Sequence, residues 1–386
     1  SYDVTQNSSS IVMSTATKSK VGYIPCIRIE DLFAQVISKI TDGTAGVGSS
    51  FTQSHFITCG DALRNLDKAV MNISLDDITK TSKCVFNFGM DLTANTASCN
   101  PRDSYYTNTE ILVIDDCVDF TYEPYLEETY SGIKNGYPTS ATDDLNGKDE
   151  YNVTVERTTN ITRVENKLDL VCLIKTAVSE IETIRLNLSG KKVVDKEGDS
   201  DLFMIHVDES LTGTIPNGYQ GAGQTYYEPY IDGTMTIENV DSPQFLYNFH
   251  YTPTRCIRRH GAYLRSGMFG VTDPLFKFQS KDKSNSDNTK LKTTEGALVT
   301  DEGADIDVDD LTTPKFKPFL INFKTYIPIN LVLLLGTNPY GYVTVYYKGN
   351  PYSGWIMTVS QNLKEESETE FRLLTTQATD LTKLIT

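Results

Sequence analysis

The stretch that most constrains the fold is Tyr340–Ser360, where two runs with a two-residue period flank a turn. This period is typical of a β-strand with one buried face, and Lys348–Pro351 supplies turn-forming residues between the runs. Pairing the runs is expected to create one apolar face that contains the only tryptophan of the chain. The residues expected on that face are Val343, Val345, Tyr347, Trp355, Met357 and Val359. Because an isolated hairpin is barely stable, earlier strands must extend it into a sheet.

The composition also favours strands over helices. The 386 residues include 22 Tyr and 16 Phe, and aromatic side chains are enriched in strands. A hydrophobic content of 39% is sufficient for a buried core, and the length allows two or three domains. We therefore predict a mainly β fold of the α+β class, built from antiparallel sheets with a few short amphipathic helices.

Three segments carry strong helix signals. In Ile29–Ile40 the apolar residues have the spacing of an amphipathic helix, and Gly43 stands where a left-handed cap would end it. Ser74–Asp77 matches a capping box at the start of a second helix. Thr252-Pro253 opens a third helix, which is expected to end at Gly267.

The other predicted elements are short. Ala177–Arg185 is expected to form a short helix with Ile181 and Ile184 on its apolar side. Alternating or apolar runs predict several strands. These are Phe86–Met90, Thr109–Asp115, Tyr151–Arg157, Leu202–Val207, Thr234–Val240, Phe245–Tyr251 and Phe371–Leu374.

We divide the chain into three parts. Residues 1–20 are polar and rich in Ser and Thr, and we predict a flexible or partner-bound arm. We assign 21–130 to an N-terminal α+β domain, and 131–386 to one or more β-rich domains closed by the C-terminal hairpin at 340–360. The arm has no apolar core, so no signal peptide is predicted, and the start at Ser1 rather than Met indicates a processed chain or a fragment.

The charge of the chain limits its partners. The net charge is −16 and the pI is about 4.7. Binding to duplex DNA requires an excess of Lys and Arg, and an anionic membrane surface repels an acidic protein. The longest apolar run, Leu331–Leu335, is far too short to span a bilayer. We therefore predict neither sequence-specific nucleic acid binding nor membrane insertion.

The sequence shows no pattern typical of a catalytic or metal site. Its seven cysteines have no CxxC spacing, which predicts reduced thiols packed as small hydrophobic groups. Nucleophile-elbow, zinc-protease and phosphate-loop motifs are missing, and Gly218–Gly223 lacks the following helix that phosphate binding needs. The histidines His55, His206, His250 and His260 are separated along the chain, although the last two could approach each other. We predict a non-enzyme without metal, cofactor or small-molecule substrate.

Two charged clusters are candidate interfaces. The densest basic cluster lies on the third predicted helix, and it is either a solvated helix face or an inter-subunit contact with acidic segments. In the acidic segment 301–310, alternating aspartates share one face of an extended chain. This segment is either an edge strand with charges facing water or a site for a cation or a basic partner. The candidate residues are Arg255, Arg258, Arg259, Arg265, Asp305, Asp307 and Asp309.

A second acidic segment, Asp143–Glu150, is similar in composition to a calcium-binding loop. Its register does not match the twelve-residue pattern, because Lys148 interrupts the oxygen ligands. We interpret the segment as a solvated turn and keep a calcium site as the alternative.

Several segments, taken in order, resemble a family of structural proteins of phages and prophages of Bacteroides and related bacteria. They are IRIEDLFAQVISKI, CGDALRNLDKAVMNISLDDI, IKNGYPTSATDDLNGKDEYNVT, SEIETIRLNL, GDSDLFMI, TPTRCIRRHGAYLRSG, DEGADIDVDDLTTPKFKP and GYVTVYYKGNPYSGWIMTVS. The resemblance covers nearly the whole chain, from about residue 25 to about residue 375.

The resemblance implies a virion protein of the tail, of the hub or baseplate type, with tube-like β-barrel domains. It implies that the chain assembles with copies of itself and with other tail proteins in the cytoplasm of the bacterial host. The family carries no catalytic residues to transfer. A different class is kept as the alternative: a β-sandwich module of such a bacterium that binds a cell-surface glycan through exposed tyrosines, for example Tyr105-Tyr106 or Tyr226-Tyr227.

Overall fold

The computed structural model of the protein is rich in strands. It describes residues 3–7, 10–18, 24–51, 55–64, 69–93, 95–138, 154–162, 164–177, 180–181, 184, 200–206, 225–227, 232–236, 248–279, 292–295, 298–361 and 368–384. Within these residues the strands form six sheets, and most of the ladders are antiparallel. The predicted mainly β fold of the α+β class is confirmed.

Numbered in chain order, the strands are β1 (Asp3–Asn7), β2 (Ser10–Lys18), β3 (Ile24–Arg28), β4 (Gly46–Ser49), β5 (His55–Cys59), β6 (Phe88–Thr93), β7 (Thr96–Pro101), β8 (Glu110–Ile114), β9 (Val118–Pro124), β10 (Gly132–Gly136), β11 (Thr154–Thr158), β12 (Lys167–Val171), β13 (Leu202–His206), β14 (Thr225–Tyr227), β15 (Asp232–Thr236), β16 (Leu275–Gln279), β17 (Lys292–Glu295), β18 (Leu298–Asp301), β19 (Ile306–Asp307), β20 (Phe316–Thr325), β21 (Tyr342–Tyr347), β22 (Asn350–Gln361) and β23 (Thr369–Thr376). The sheet orders are β1-β2-β15, β13-β5-β3-β14, β4-β7-β6, β12-β10-β11-β16-β19, β17-β18 and β8-β21-β22-β23-β20-β9.

The helices are short. The α-helices are α1 (Ile29–Ile40), α2 (Gly60–Leu63), α3 (Leu75–Thr81), α4 (Pro253–Arg259), α5 (Gly261–Gly267) and α6 (Ile329–Leu335). A π-helical turn, Ser82–Phe86, follows α3, and single 3-10 turns lie at Arg102–Tyr105, Phe249–Tyr251, Val308–Asp310 and Leu381–Leu384.

The first two predicted helices are confirmed together with their caps. Helix α1 buries the apolar stripe that contains Leu32 and Phe33, and Gly43 after it has a φ of +75°. At the start of α3 the Ser74 hydroxyl accepts a hydrogen bond from the Asp77 amide, and the Asp77 carboxylate accepts one from the Ser74 amide. Within Ala177–Arg185, the described residues 180, 181 and 184 are helical.

The third predicted helix is two helices, α4 and α5, that meet at His260. His260 has φ −83° and ψ 0°, which leaves the regular helical geometry. A side chain at Gly261 would lie 3.0 Å from Thr312 Oγ1, so the bend fits a close approach of the loop at 311–312. Thr252 precedes α4 without a hydrogen bond from its side chain to the helix.

Two predicted strands have different boundaries or a different type. Phe86 belongs to the π-helical turn and the strand begins at Phe88, because Asn87 between them is left-handed with a φ of 56°. The strand predicted at Phe245–Tyr251 is wrong for its last three residues, which form a 3-10 turn. Tyr251 is fully buried in this turn, so the aromatic residue that suggested a strand serves to pack the core instead.

The C-terminal hairpin is confirmed as β21 and β22, and Val343, Val345, Tyr347 and Val359 share one core as predicted. The predicted apolar face is wrong for Trp355 and Met357. Lys348 and Gly349 have φ values of 49° and 76° and form a two-residue turn that pairs Tyr347 with Asn350. This register places Trp355 opposite Tyr342 rather than beside Val343. The expected pairing of Val343 and Val345 with the face of Trp355 requires an odd number of turn residues. Because side chains alternate along a strand, the two-residue turn instead places Trp355 on the opposite face.

The two faces of the C-terminal sheet, β8-β21-β22-β23-β20-β9, have separate cores. The inner face buries Val343, Val345, Tyr352, Ile321, Phe323, Phe371 and Leu373. On the outer face, Trp355 and Leu374 pack with Tyr263 of α5. Met357, which was expected beside Trp355 in the core, is 39% exposed.

The C-terminal sheet curls, so that the end of one edge strand lies near the start of the other. Its edge strands β8 and β9 are joined by residues 115–117 alone, and three residues between strands span no more than about 14 Å. At this bend Cys117 Sγ donates to Tyr346 O near one edge, while the backbone oxygen of Asp116 accepts from Thr325 Oγ1 near the other. Among the described strands no ladder joins β8 to β9, so the tube-like closed barrel is not present there.

The largest core crosses the expected domain boundary at residue 130. Phe33 of α1 and Ile78 of α3 belong to one cluster with Ile133, Ile257 and Leu264 from later parts of the chain. Strands β8 and β9 likewise pair with β21 and β20. The segment predicted as an arm contains β1 and β2, and β2 pairs with β15. The three-part division stays a prediction.

Candidate functional site

The structure gives three of the four candidate arginines intramolecular roles. Arg255 is 5% exposed and has a partner within the protein. Arg259 donates to the backbone oxygens of Val85 at 2.9 Å and His250 at 2.6 Å. Arg265 donates to Asp309 Oδ1 at 2.8 Å. The interpretation as a solvated helix face therefore does not describe these three side chains.

Arg258, the fourth member, differs from its neighbours. Its side chain is half-buried, and its Nε is inaccessible to solvent without a hydrogen-bond partner. Within the described part of the chain, its guanidinium has no ion-pair partner. A half-buried cation without a counter-ion is unexpected in a protein with a net charge of −16.

The three candidate aspartates are exposed, while Ile306 and Val308 between them are buried, as predicted. They lie on and beside β19, which is the edge strand of its sheet. Asp305 accepts from the Phe278 amide at 2.7 Å and Asp307 from the Asp309 amide at 2.8 Å. Among the described residues, an ion pair between Arg265 and Asp309 joins the two predicted clusters.

A cleft of about 720 Å³ lies between α5, residues 312–315 and the outer face of the C-terminal sheet. Tyr263, Tyr342 and Trp355 contribute aromatic surface to it, and Asn108 and Gln377 contribute amide groups. Trp355 is fixed by a hydrogen bond from its Nε1 to the backbone oxygen of Thr107 at 2.8 Å. A cleft of this volume accommodates a small ligand or a few residues of a peptide.

Arg258 provides the uncompensated charge of this cleft. Lys315 also lines the cleft, but it has a counter-ion: its Nζ lies 3.6 Å from Asp103 Oδ1. The same Nζ lies 5.7 Å from the centre of the Trp355 ring. The same carboxylate oxygen accepts from the Tyr263 hydroxyl at 2.8 Å. Burial and this carboxylate raise the pKa of Tyr263, so the hydroxyl remains a donor. The cleft thus combines aromatic walls with one positive charge that is available to a ligand.

A second cavity of about 370 Å³ lies next to the cleft and shares Asn87 and Tyr263 with it. An ion pair between Arg102 Nη2 and Glu128 Oε1, 2.5 Å apart, lines this cavity. His260 lies in its wall and is 3% exposed. Burial, together with the charge of Arg102, lowers the pKa of His260 to about 3, so this ring is neutral at physiological pH.

Three of the four histidines form a cluster, although they are far apart in the sequence. The rings of His55 and His206 are 5.3 Å apart and those of His206 and His250 are 4.6 Å apart, centre to centre. His55 Nδ1 lies 2.5 Å from the Tyr251 hydroxyl. Burial, together with the nearby His206 and Arg259, lowers the pKa of His55 to about 3. The expected approach of His250 to His260 is not what the structure shows.

No signal in the sequence predicts this histidine cluster. It depends on the antiparallel pairing of β13 with β5, which places His206 directly opposite His55. Such long-range registers cannot be read from local patterns. The described residues contain no group of three or more His, Cys, Asp or Glu side chains arranged to hold a metal ion.

A buried polar network supports the start of α4. Glu302 is fully buried, and its Oε2 accepts from the Thr254 amide at 2.8 Å. Arg157, which is 1% exposed, donates to Thr254 Oγ1 at 2.9 Å and to the backbone oxygen of Glu302 at 3.0 Å. Burial raises the pKa of Glu302. This network holds the helix that carries Arg258 in place, and sequence analysis did not identify it.

The prediction of reduced cysteines is confirmed. All seven thiols are free, and six of them are buried. Burial raises the pKa of Cys99 to about 11 and that of Cys172 to about 12, which keeps both thiols protonated and unreactive. The possible calcium loop at Asp143–Glu150 and the glycine-rich segment Gly218–Gly223 lie outside the described residues.

Comparison with models of known protein families and with curated proteins gives no match to this chain. None of the helices in the described ranges is long and apolar enough to span a membrane. The function is therefore inferred from the surfaces and cavities described above.

Proposed function

We propose that this protein is a structural component of a phage tail, of the hub or baseplate type, that acts through contacts with copies of itself and with other tail proteins. The observation that carries an assembly role is the exposure of apolar side chains on the edge strands of the C-terminal sheet. Val113 on β8 is 46% exposed, and Val118 and Tyr122 on β9 are 44% and 40% exposed. Edge strands with exposed apolar residues are favourable sites for pairing with another chain.

Two further observations support the tail as the location. Several segments of the sequence, taken in their order along the chain, resemble phage structural proteins, as described above. The net charge of −16 suits a component beside a DNA channel, because like charge prevents the phosphate backbone from adhering. In this proposal the protein assembles in the bacterial cytoplasm and remains in the virion. It is neither an enzyme nor a membrane-inserted protein.

Sedimentation velocity of the purified protein tests the assembly role. We expect concentration-dependent self-association, because the edge strands bury apolar surface only when a partner covers them. Tyr122→Lys on β9 should weaken the association about tenfold. Ile40→Lys is the matched control, because Ile40 on α1 is 62% exposed and lies far from the C-terminal sheet in the chain.

A wild-type protein that stays monomeric at all concentrations, alone and with tail proteins of a phage that encodes it, would contradict the proposal. Detection of the chain in purified tails by mass spectrometry would support its proposed location in the tail. Absence of the chain from intact virions would exclude this location.

A glycan-binding module is the second candidate, and the cleft beside α5 favours it. Aromatic rings with nearby amide and hydroxyl groups are typical of sugar sites. However, Trp355 is only 3% exposed, so little ring surface is available for stacking. Glycan-array binding by a monomer, lost on Trp355→Ala and retained in Tyr122→Lys, would favour this module over the tail component.

A further inference from the structure

We propose that the cleft beside α5 is a docking site for the acidic bend Asp115-Asp116 of a second copy of this chain, with Arg258 as the residue that binds the carboxylates. This inference rests on the proposed self-assembly and specifies which surfaces meet. The contact joins two different surfaces and is therefore of the heterologous type, which closes into rings when the rotation between copies allows it.

The first argument is the charge of the cleft. Lys315 is paired with Asp103, and Arg259 is bound to backbone oxygens inside the protein. Arg258 is then the cation of the cleft that lacks a partner within the described residues. Because a guanidinium binds a carboxylate through two parallel hydrogen bonds, the cleft is suited to a ligand with a carboxylate group.

The second argument identifies the occupant. Asp115 and Asp116 are consecutive and exposed, and neither carboxylate has a cation partner among the described residues. Two neighbouring carboxylates on β9 are paired: Glu123 binds Arg372, and Asp119 binds Lys324. The bend therefore presents two free negative charges to a partner.

The third argument is the apolar surface around the bend. Val113 and Val118 flank the two aspartates and are 46% and 44% exposed. The cleft offers Tyr263, Tyr342 and Trp355 beside Arg258. A segment with acidic residues between exposed valines thus complements a cation beside aromatic walls, in charge and in polarity. Burying both valines on docking would remove the exposed apolar surface at this bend.

A charge-swap experiment tests the contact. Arg258→Glu and the double variant Asp115→Lys/Asp116→Lys should each weaken self-association at least about tenfold in sedimentation velocity, because like charges then face each other. An equimolar mixture of the two variants should associate again, since the reversed cleft of one chain meets the reversed bend of the other. The triple variant with both changes should also associate. Lys39→Glu is the matched control for charge, because Lys39 is exposed and lies on α1.

The outcomes separate this inference from the proposed function. If the wild type associates and Arg258→Glu associates equally well, the docking site is wrong while self-assembly stands. If each variant is weakened but the mixture is not restored, the two surfaces do not meet and the inference is again wrong. If the wild type does not associate under any condition, the proposed function itself fails. Thermal unfolding of each variant, compared with the wild type, shows whether a loss of association reflects a loss of folding.

Discussion

At the scale of the residue, burial decides which charged groups are free to act. Four arginines appear equivalent in the sequence, but Arg255 and Arg259 are fixed inside the protein and Arg258 is not. The basic cluster itself was predictable from composition. Its division into structural and available members was not, because that division depends on the backbone oxygens of Val85 and His250, which approach from distant parts of the chain.

His260 leads to a prediction about pH. Its pKa is lowered from 6.5 to about 3 in the folded protein, so the unfolded chain binds a proton first as the pH falls. The free energy of unfolding should therefore decrease on acidification below pH 6.5. For this histidine alone we expect a loss of about 2 kcal/mol between pH 7 and pH 5. Urea unfolding at both pH values measures the difference.

The control is His260→Gln, which cannot take up a proton in this range. We expect this variant to be less stable than the wild type at pH 7. Between pH 7 and pH 5, however, its free energy of unfolding should decrease by about 2 kcal/mol less than that of the wild type. An identical pH dependence in both proteins would show that folding does not lower the pKa of His260. His55 should contribute in the same direction, because its pKa is also lowered to about 3.

At the scale of the element, sequence patterns identified strands and helices better than their faces. The hairpin, α1 and the capping box of α3 were readable because turn residues and apolar periods are local signals. The face on which Trp355 lies was not, because it depends on whether the turn has an even or an odd number of residues. The break at His260 was missed for a similar reason, since the loop that packs against Gly261 comes from residues 311–312.

Two glycines of the hairpin predict different costs for the same substitution. Gly349 has a φ of +76° with open space around it, so Gly349→Ala should cost about 1 kcal/mol through backbone strain alone. At Gly354 a methyl group would lie 2.7 Å from Leu373 Cβ and 2.8 Å from Leu374 O. Gly354→Ala should therefore cost more, about 3 kcal/mol, because the paired strands must separate. Denaturant unfolding of the two variants measures which substitution lowers the free energy of unfolding more. Equal decreases in the two variants would contradict the prediction.

At the scale of the whole molecule, the chain connects regions that are far apart in sequence. The N-terminal helices share a core with α4 and α5, and the C-terminal sheet takes both edge strands from residues 110–124. The predicted boundary at residue 130 separates these strands from their partners. Composition and local periodicity carry no information about which distant strand completes a sheet.

A fragment of residues 131–386 tests this arrangement. It lacks β8 and β9, which leaves β20 and β21 as unpaired edges and exposes part of the inner face of the sheet. We expect the fragment to aggregate or to lack a cooperative thermal transition. Co-expression with residues 24–130 as a separate chain, which supplies β8, β9 and the helices of the shared core, should restore the transition. A fragment that unfolds cooperatively without this addition would instead support the three-part division.

The bend at 115–117 has a consequence for the order in which the protein folds during synthesis. Glu110 contacts Thr344 through their side chains, 234 residues further along the chain. The ribosome therefore releases both edge strands long before their partners exist, and closing so large a loop is entropically slow. Until the last strands emerge, the exposed valines beside the bend are open to premature association. We expect the nascent chain to depend on a chaperone, or on early contact with a neighbouring protein, at this stage.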